Sequence, residues 1–478
     1  MSAVETKHKA FTAFYSKYKK MRDVFLGDET LKANAKLYIT PLEGQTPEQY
    51  KAVIERESFE NYVSATAKGI SGLIFAKAPQ IELPPKLKLL EDNIDLASGS
   101  IIDLAQTTVN EILEVGRAGL LVDMMQYNTM GMTVAEVQQL NIRPYIKLYT
   151  TENIINWDYD LINNHNELSL LVLSEVYNIN INMFEREEKI RYRVYSIEEG
   201  VCVVRIYQSN DKKAFDVVSE SIPMMNGKAL TFIPFVPISS EDLTIEPSNP
   251  PLLDIANINL SHWYLSVERR NALHYVGFPS IYASGVSKRQ NESIQLGAGT
   301  INVFDNDKAS LNYLQLSADG LGSVEKALEE KKAAMLALGA RLLAPESSSQ
   351  ISENTMQMKT AGQRATIIQI ADTVSRGITK ALQYMAMWLN DSDNIIFKLN
   401  TDYNLSEMSP QMMTALFTGQ QLGQLRKEDV FNALKKGEII EESLTFEQWS
   451  GDLETQSPLD SVSIPTRTAN ARTNTTTN

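Results

Sequence analysis

Residues 321–389 read LGSVEKALEEKKAAMLALGARLLAPESSSQISENTMQMKTAGQRATIIQIADTVSRGITKALQYMAMWL, and this stretch predicts two helices separated by a Ser-rich break. In the first helix, apolar residues recur every three or four positions from Leu321 to Leu342, which is the spacing of one helix face. Ser323 is suited to cap its start, and Pro345 stands just past its end. The alanines between them leave a narrow surface that permits the close approach of another helix.

The second helix is expected to start between Ser352 and Gln357, and its length is about 33 residues, or roughly 50 Å at 1.5 Å per residue. Apolar residues mark one face from Ile367 to Leu389, and Asp372 and Arg376 stand on the other at a favourable i,i+4 spacing. Gly377 costs about 1 kcal/mol relative to Ala inside a helix and marks a candidate kink. From pattern alone, the simpler interpretation is two core helices of a large α-helical domain.

Bulk composition indicates a globular chain with no preference for tight nucleic-acid binding. The 478 residues are 43% hydrophobic and 22% charged, and the length suffices for about two to four core-forming units. The net charge of −14 argues against a protein that wraps nucleic acid, because such proteins rely on a basic surface. The same charge suits a passage through which nucleic acid slides without being held.

Cys202 is the only cysteine, so no disulfide framework or cysteine-based zinc site can form within one chain. Its valine neighbours predict a buried thiol on a strand. The N-terminus lacks an apolar signal core, and no apolar run reaches the ~20 residues of a membrane span. We therefore expect a soluble protein made in a cytoplasm.

The N-terminal quarter of the chain is predicted to be mainly helical. Basic and aromatic residues intermingle over 5–26, which predicts an amphipathic helix with a solvated basic face; a membrane or nucleic-acid patch is the alternative. A cap at Thr46 with Pro at the first helical position starts one helix over 50–77. A further helix over 101–116 precedes a buried strand that ends at Asp123, for which we expect a turn or capping role.

The rest of the chain alternates between β-rich and helical segments, and the fold class predicted is α+β. The predicted elements are strands at 145–149, 168–177, 191–197, 201–207 and 232–238, a helix at 252–277, strands at 280–283, 301–304 and 311–316, the two helices of 321–389, a strand at 395–399, and helices beginning at 410 and 427. From Gln456 the Ser/Thr/Asn-rich tail is expected to be disordered, or ordered only by a partner.

No catalytic or metal-binding motif stands out. The histidines are His8, His165, His262 and His274, and none belongs to HExxH or another metal-ligand spacing. Gly297–Thr300 is glycine-rich, but no Lys-Ser/Thr follows it, so a phosphate-cradling loop is not indicated. We expect no enzymatic activity and no cofactor. A metal-dependent nuclease or hydrolase is the remaining enzyme hypothesis, and it needs clustered carboxylates that the sequence does not display.

The order of motifs nevertheless resembles tailed-bacteriophage portal proteins, most closely a portal-like family of short-tailed phages and prophages. The stretches that carry the resemblance are YKAVIERESFENYVSATAKGISGLIFAKAP (50–79), LEVGRAGLLVDM (113–124), RPYIKLYTTENIINW (143–157), PLLDIANINLSHWYLSVERRNALHYVGFPSIYASG (251–285), GAGTINVF (297–304) and VEKALEEKKAAMLALGARLLAP (324–345). The family often has a Glu-Thr-Ala-type segment after the last of these, where this chain has ISENTMQMKTAGQ (351–363).

The resemblance implies a homo-dodecameric ring at one capsid vertex of the virion, assembled in the host cytoplasm, through which terminase threads double-stranded DNA. The implied partners are the major capsid protein and scaffold, the terminase large subunit and then a head-tail adaptor, with no membrane. The implied segments are a wing (1–250), a first stem helix (251–279), a clip (280–320), a second stem helix (321–344), a tunnel loop (345–355), a long kinked wing helix (356–390), a helical crown (391–455) and a polar tail (456–478).

Candidate site residues follow from this order of segments. The candidates for the DNA channel are Glu346, Ser347, Ser348, Ser349, Gln350, Lys331 and Lys332. The candidates for partner binding on the clip are Ser287, Lys288, Arg289, Asn306, Asp307 and Lys308. We also expect the helices of 321–389 to find their packing partners in neighbouring subunits rather than within their own chain. A head-to-tail connector or adaptor ring is the alternative within phage structure.

Overall fold

The chain divides into two compact units, Met1–Thr401 and Asp402–Asn478, and the fold is α+β. The computed structural model describes residues 3–95, 97–124, 142–162, 164–209, 214–277, 280–285, 308, 310–314, 320–343, 353–391, 394–401, 410–436, 439–440 and 444–455. The predicted strand at 301–304, most of the predicted tunnel loop and the tail from 456 lie outside these residues.

The α-helices are numbered in chain order. They are α1 (Lys9–Leu26), α2 (Asp28–Ala33), α3 (Pro47–Arg56), α4 (Tyr62–Ile74), α5 (Pro85–Lys88), α6 (Ile101–Val115), α7 (Leu253–Gly277), α8 (Leu321–Leu343), α9 (Glu353–Leu389), α10 (Pro410–Gln421), α11 (Lys427–Lys436) and α12 (Phe446–Thr455). None of the helices in the described ranges combines the length and the apolar content that crossing a bilayer requires.

The strands form small antiparallel sheets. They are β1 (Gln80–Glu82), β2 (Arg117–Met124), β3 (Pro144–Thr150), β4 (Ile154–Ile162), β5 (His165–Asn180), β6 (Arg186–Glu198), β7 (Val201–Ser209), β8 (Phe215–Ser221), β9 (Met224–Met225), β10 (Lys228–Ala229), β11 (Phe235–Ser239), β12 (Ser280–Ser284), β13 (Ser310–Leu314) and β14 (Ile396–Lys398). The larger sheets have the orders β11-β2-β3 and β4-β5-β6-β7-β8, and the pairs β1-β14, β9-β10 and β12-β13 complete the set.

The single helix predicted over 50–77 is wrong, because the chain breaks it between α3 and α4. Asn61 caps α4 by accepting a hydrogen bond from the Ser64 N–H at 2.9 Å, and its amide donates to the Val24 carbonyl at 2.6 Å. Within the break Phe59 is buried, and its N–H donates to an Asp28 carboxylate oxygen at 2.8 Å. These bonds hold the residues between α3 and α4 against α1 and α2. The helix is therefore interrupted by tertiary contacts, since the break contains neither glycine nor proline. The cap predicted at Thr46 is confirmed as a capping box with Gln49.

The main core lies where α9 packs on the three-stranded sheet and on α6. The face predicted for this helix is confirmed: its buried apolar residues are Ile367, Ile370, Ala371, Val374, Ile378, Ala381, Leu382, Met385, Ala386 and Trp388. Gly377 stands at the closest approach, since a Cβ there would lie 2.5 Å from Ile238 Cδ1 on β11. The glycine predicted as a candidate kink thus allows the helix to approach the sheet.

The packing of α9 corrects the expectation that both helices of 321–389 rely on neighbouring subunits. From Ile367 onward, the apolar face of α9 is buried by its own chain, because it packs on the open face of the three-stranded sheet. The start of α9 at Glu353 agrees with the prediction, and its length is 37 residues. Helix α8 begins at Leu321, so the cap predicted at Ser323 is wrong: that residue lies within the first turn.

The five-stranded sheet extends at one end into a projecting two-stranded ribbon. Strands β5 and β6 pair out to Asn180 and Arg186, whereas the pairing of β6 with β7 stops at Arg191 and Gln208. Strand β4 reaches only Leu173 of β5. In the described part of the chain, residues 176–190 therefore have no flanking strand, and we call this ribbon the arm. It extends roughly 17 Å beyond the sheet at about 3.4 Å per residue.

The second unit contains three short helices within its described residues. Phe431 of α11 is buried and contacts Phe446 and Trp449 of α12, with ring centroids 5.6 and 5.3 Å apart. Helix α12 was not predicted. Its start has a capping pattern, because the Gln448 N–H donates to the Thr445 hydroxyl at 3.3 Å and the Thr445 N–H donates to the Gln448 amide oxygen at 3.2 Å.

Candidate functional site

Helices α7 and α8 are two antiparallel helices with the β12–β13 ribbon between them in the chain. We call this helix–ribbon–helix unit the stem hairpin. Helix α7 leads into β12, which pairs antiparallel with β13 from Ser280–Leu314 to Ser284–Ser310. Strand β13 leads into α8, which returns alongside α7. Both predicted helices and the two described strands of the predicted insert are confirmed, and residues 315–316 of the second predicted strand lie outside the described ranges.

The start of the stem hairpin is fixed to the break between α3 and α4. Asn259 of α7 is fully buried, and its amide group satisfies two backbone groups of that break. Its oxygen accepts from the Tyr62 N–H at 3.1 Å, and its nitrogen donates to the Glu60 carbonyl at 2.9 Å. One turn further on, the Trp263 ring meets Phe59 edge to face at 5.9 Å. A buried polar side chain with both groups bonded fixes the register of α7 against these helices.

Helix α8 is held along one narrow stripe only. Its side chains Leu328 and Met335 are buried, and Gly339 stands so close to α4 that a Cβ would lie 2.9 Å from the Thr66 hydroxyl oxygen. Between these points, Ala333 and Ala334 are exposed, and Leu336 is 51% exposed. Most of the described α8 surface therefore faces away from its own chain.

Helix α7 has apolar and polar residues mixed around its whole circumference, so it has no single apolar face. Trp263 and Val267 are buried against the chain, while Ile258, Leu260 and Leu265 are only half-buried and Leu273 is exposed. The chain buries one stripe of α7 and leaves the apolar side chains outside that stripe only partly covered.

Of the predicted channel residues, the described ones are Lys331 and Lys332 of α8, half-buried and exposed respectively. Lys332 lies beside the Tyr62 hydroxyl, which with the nearby Glu60 carboxylate raises the pKa of the lysine. Lys308 is exposed next to β13. The other predicted residues lie outside the described ranges: Glu346, Ser347, Ser348, Ser349, Gln350, Ser287, Lys288, Arg289, Asn306 and Asp307.

Polar residues to which the sequence analysis gave no site role gather beside Lys332. The His262 ring lies edge to face with Tyr62 at 6.2 Å, and burial lowers the pKa of this histidine. The Tyr62 hydroxyl donates to Glu60 at 2.5 Å. This cluster joins α7, α8 and the start of α4. Its members come from three separate segments, so no local spacing in the sequence could have revealed it.

A second cluster surrounds the carboxylate of Glu175, at the base of the arm. Arg191 Nε and Lys147 Nζ lie 2.7 Å from its oxygens, Arg193 Nε lies at 3.3 Å, and the Tyr149 hydroxyl also donates to it. Burial opposes ionisation, but the charge of Arg193 and the hydrogen bonds from Lys147 and Tyr149 outweigh it and lower the pKa of Glu175 to about 2. The cluster binds three strands together.

The predicted turn or capping role of Asp123 is wrong, because Asp123 lies within β2 and joins the second cluster through Arg193 at 3.1 Å. Burial raises the pKa of this carboxyl group. Cys202 is buried as predicted, and burial raises the pKa of its thiol to about 12. Within the described ranges, no group of three or more His, Cys, Asp or Glu side chains is arranged to hold a metal ion.

Comparison with known sequences gives one partial match. Residues 251–389, which cover α7, the β ribbon, α8 and α9, match a family described as "Domain of unknown function (DUF4055)". No curated protein matches the chain.

Comparison with solved structures gives remote similarities. A chain in the neck of an empty GTA particle, computed with C6 symmetry, has a TM-score of 0.37 and 11% identity over 76% of this chain and 86% of that one. A chain in the virion of a native gene transfer agent particle has a TM-score of 0.37 and 12% identity over 83% and 96%. A chain in the neck of the native particle, computed with C12 symmetry, has a TM-score of 0.32 and 11% identity over 76% and 86%.

Proposed function

We propose that this chain is the subunit of a portal-type ring, whose central channel passes double-stranded DNA at one vertex of a phage capsid. The observation that carries the proposal is the stem hairpin, in which α8 is buried along one stripe only and α7 leaves several apolar side chains partly covered. Its order of helix, β ribbon and helix is the stem–clip–stem order of the portal family that the sequence resembles. In a ring, the uncovered side of α7 and α8 packs against the next subunit.

The contact that the stem hairpin offers, between two different surfaces, is of the kind that can close a ring. The surface of α7 and the alanine-rich surface of α8 are different, so a contact between them is heterologous, and such contacts generate closed rings when the rotation closes. Exposed alanines such as Ala333 and Ala334 permit close helix approach. The net charge of −14 per chain disfavours a grip on phosphate along the channel, so DNA slides.

In this proposal, each segment of the chain has its own role in the ring. Residues 1–250 form the wing, the stem helices line the ring, and the clip around β12 and β13 docks the terminase large subunit and afterwards a head-tail adaptor. The capsid protein and scaffold receive the ring at the vertex, and twelve copies form it. The chain serves as a channel and has no catalytic step of its own.

The mass of the purified protein tests the proposal. Light scattering coupled to size exclusion, over a hundredfold range of concentration, should give a discrete oligomer near twelve subunits, and negative-stain images should show a ring with a central hole. The same measurement is repeated with scaffold and capsid protein present. A monomer under all of these conditions would overturn the proposal.

A further inference from the structure

The tip of the arm displays two large apolar side chains that its own chain leaves uncovered. Met183 is 91% exposed and Phe184 is 92% exposed. The turn that carries them is well bonded, because the Asn182 side-chain oxygen accepts from the Phe184 and Glu185 N–H groups, both at 2.9 Å. The Ile181 N–H also donates to the Glu185 carbonyl at 3.1 Å. Exposed apolar groups on an ordered turn are typical of a contact surface.

The base of the arm is fixed. Glu175 and Arg191 are the last pair before the arm begins, and they belong to the buried cluster with Lys147, Tyr149 and Arg193. A two-stranded ribbon is only marginally stable in water, so this anchoring at the base determines where the tip points. The arm is therefore a projection that is anchored at its base and presents an apolar end.

A complementary surface exists at the N-terminal helices. A cleft of about 850 Å³ lies between α1, α2 and α3, with Leu37 and Ile54 among its apolar lining and lysines around it. The lining lysines are Lys19, Lys32, Lys36 and Lys51. Lys32 pairs with Asp28 and Lys51 with Glu55, which also lines the cleft.

The charges of the two surfaces are opposite. Just behind its apolar tip the arm carries three carboxylates, Glu185, Glu187 and Glu188, against two cations, Arg186 and Lys189, and Lys189 lies 3.4 Å from Glu187. At the cleft, Lys19 and Lys36 are exposed and make no ion pair with any residue in the described ranges. An apolar tip flanked by carboxylates thus matches an apolar cleft flanked by ammonium groups. The volume of the cleft is large enough to bury a ligand bigger than two side chains.

We propose that the tip of the arm, Met183 and Phe184, inserts into the N-terminal cleft of a second copy of this chain. Because tip and cleft are different surfaces, the contact is heterologous and leaves a free tip and a free cleft at the two ends of any open assembly. The acidic flank of the tip then lies against Lys19 and Lys36 of the neighbouring copy. This contact adds to the stem-hairpin contact of the proposed ring and can exist without that ring.

Disulfide trapping tests the contact directly, because the single native cysteine is buried and does not compete. The full chain carrying both Phe184→Cys and Leu37→Cys is oxidised mildly at low protein concentration and separated without reductant. We expect a ladder of covalent dimers, trimers and larger species. Each single variant should give no ladder beyond dimer. The matched control pairs Phe184→Cys with Leu89→Cys, an 84% exposed leucine outside the cleft, and should give none either.

A charge exchange adds a second readout. Replacing Glu185 and Glu188 by lysine in the double-cysteine chain should reduce trapping at least about tenfold, because like charges then meet. Adding Lys19→Glu and Lys36→Glu should restore it. Absence of the ladder in a protein that forms rings by mass would overturn this inference and leave the proposed ring intact. A ladder from a protein that never forms closed rings would support the inference and count against the ring.

Discussion

Glu175 and Arg191 face each other across β5 and β6, and the guanidinium Nε lies 2.7 Å from one carboxylate oxygen of Glu175. The other oxygen accepts from Lys147 and Tyr149 of β3. The Glu175 side chain is 2% exposed. This pair is the point at which the sheet ends and the arm begins. A buried charge that loses its partners is strongly destabilising, so substitution of either residue should lower the free energy of unfolding.

Replacing Glu175 with Gln removes the charge that Arg191, Arg193 and Lys147 share, and should lower the free energy of unfolding by about 3 kcal/mol. Urea denaturation followed by circular dichroism measures the loss. The control is Glu198→Gln, whose carboxylate pairs with Arg205 at the surface. Exposed pairs contribute about 0–1 kcal/mol, so the control should change little. Equal effects of both substitutions would contradict the buried role of Glu175.

The depressed pKa of Glu175 also predicts an acid-sensitive contribution. Its folded pKa of about 2 lies below the ordinary value of 4.5, so this group stabilises the fold fully above about pH 4.5. That stabilisation is lost as the pH falls from about 4.5 through about 2. The difference in urea midpoint between wild type and Glu175→Gln should therefore be smaller at pH 3 than at pH 7. A difference that is the same at both pH values would show that charge is not responsible.

Gly377→Ala should destabilise the protein although alanine is the better helix former. The new Cβ would meet Ile238 Cδ1 at 2.5 Å and Cγ1 at 2.6 Å in a close-packed interface, and overpacking of this kind costs about 1–3 kcal/mol. Thermal unfolding measures the change. The matched control is Gly72→Ala in α4, where a Cβ meets nothing within 4 Å, and a gain of up to about 1 kcal/mol is expected. A stabilising Gly377→Ala would refute the close approach.

Asn61 makes two separable contributions at the break between α3 and α4. Asn61→Ala removes both the cap on α4 and the bond to Val24, and should cost about 1–2 kcal/mol. Asn61→Asp keeps an oxygen for the Ser64 N–H but has no donor for the Val24 carbonyl, so its loss should be intermediate. Urea midpoints of the three proteins give the order. If aspartate is as costly as alanine, the cap contributes nothing.

Leu336→Asp should weaken assembly more than it weakens the fold. This side chain is 51% exposed on α8 in the single chain, and in the proposed ring it is covered by the next subunit. We expect the oligomer to dissociate at higher protein concentration than wild type, with nearly unchanged thermal unfolding of the subunit. Leu89→Asp, at an 84% exposed leucine next to α5, is the control and should leave the oligomer as it is. Intact assembly in both would exclude this face of α8 from the interface.

Local patterns in the sequence were sufficient for the elements whose signals are local. The capping box at Thr46 and the buried face of α9 follow from spacing alone, and the confirmed positions agree with it. The same logic extends to α12, whose Thr445 and Gln448 have the capping spacing and could have been recognised. Strand β8 was missed because it is an edge strand with mostly exposed side chains, which leaves no alternation of apolar and polar residues to detect.

The clusters could not be predicted, because sheet register and helix packing bring their members together from distant positions. No sequence pattern distinguishes Asn259 from its neighbours in α7. Its amide nevertheless hydrogen-bonds to the backbone of Glu60 and Tyr62, nearly two hundred residues away. The break at Phe59 and Asn61 depends on partners in α1 and α2, so the apolar pattern over 50–77 concealed it. Lys331 and Lys332 were located on the expected helix, and their role in a channel stays a prediction.

The two amide bonds of Asn259 also bear on mechanical behaviour. They tie the root of α7 to backbone atoms at the start of α4, where a side chain can neither slide nor rotate without losing both bonds. A load applied at the distal, ribbon-bearing end of the hairpin must therefore tilt α4 together with α7. A displacement of α7 near residue 259 is therefore coupled to the backbone that starts α4.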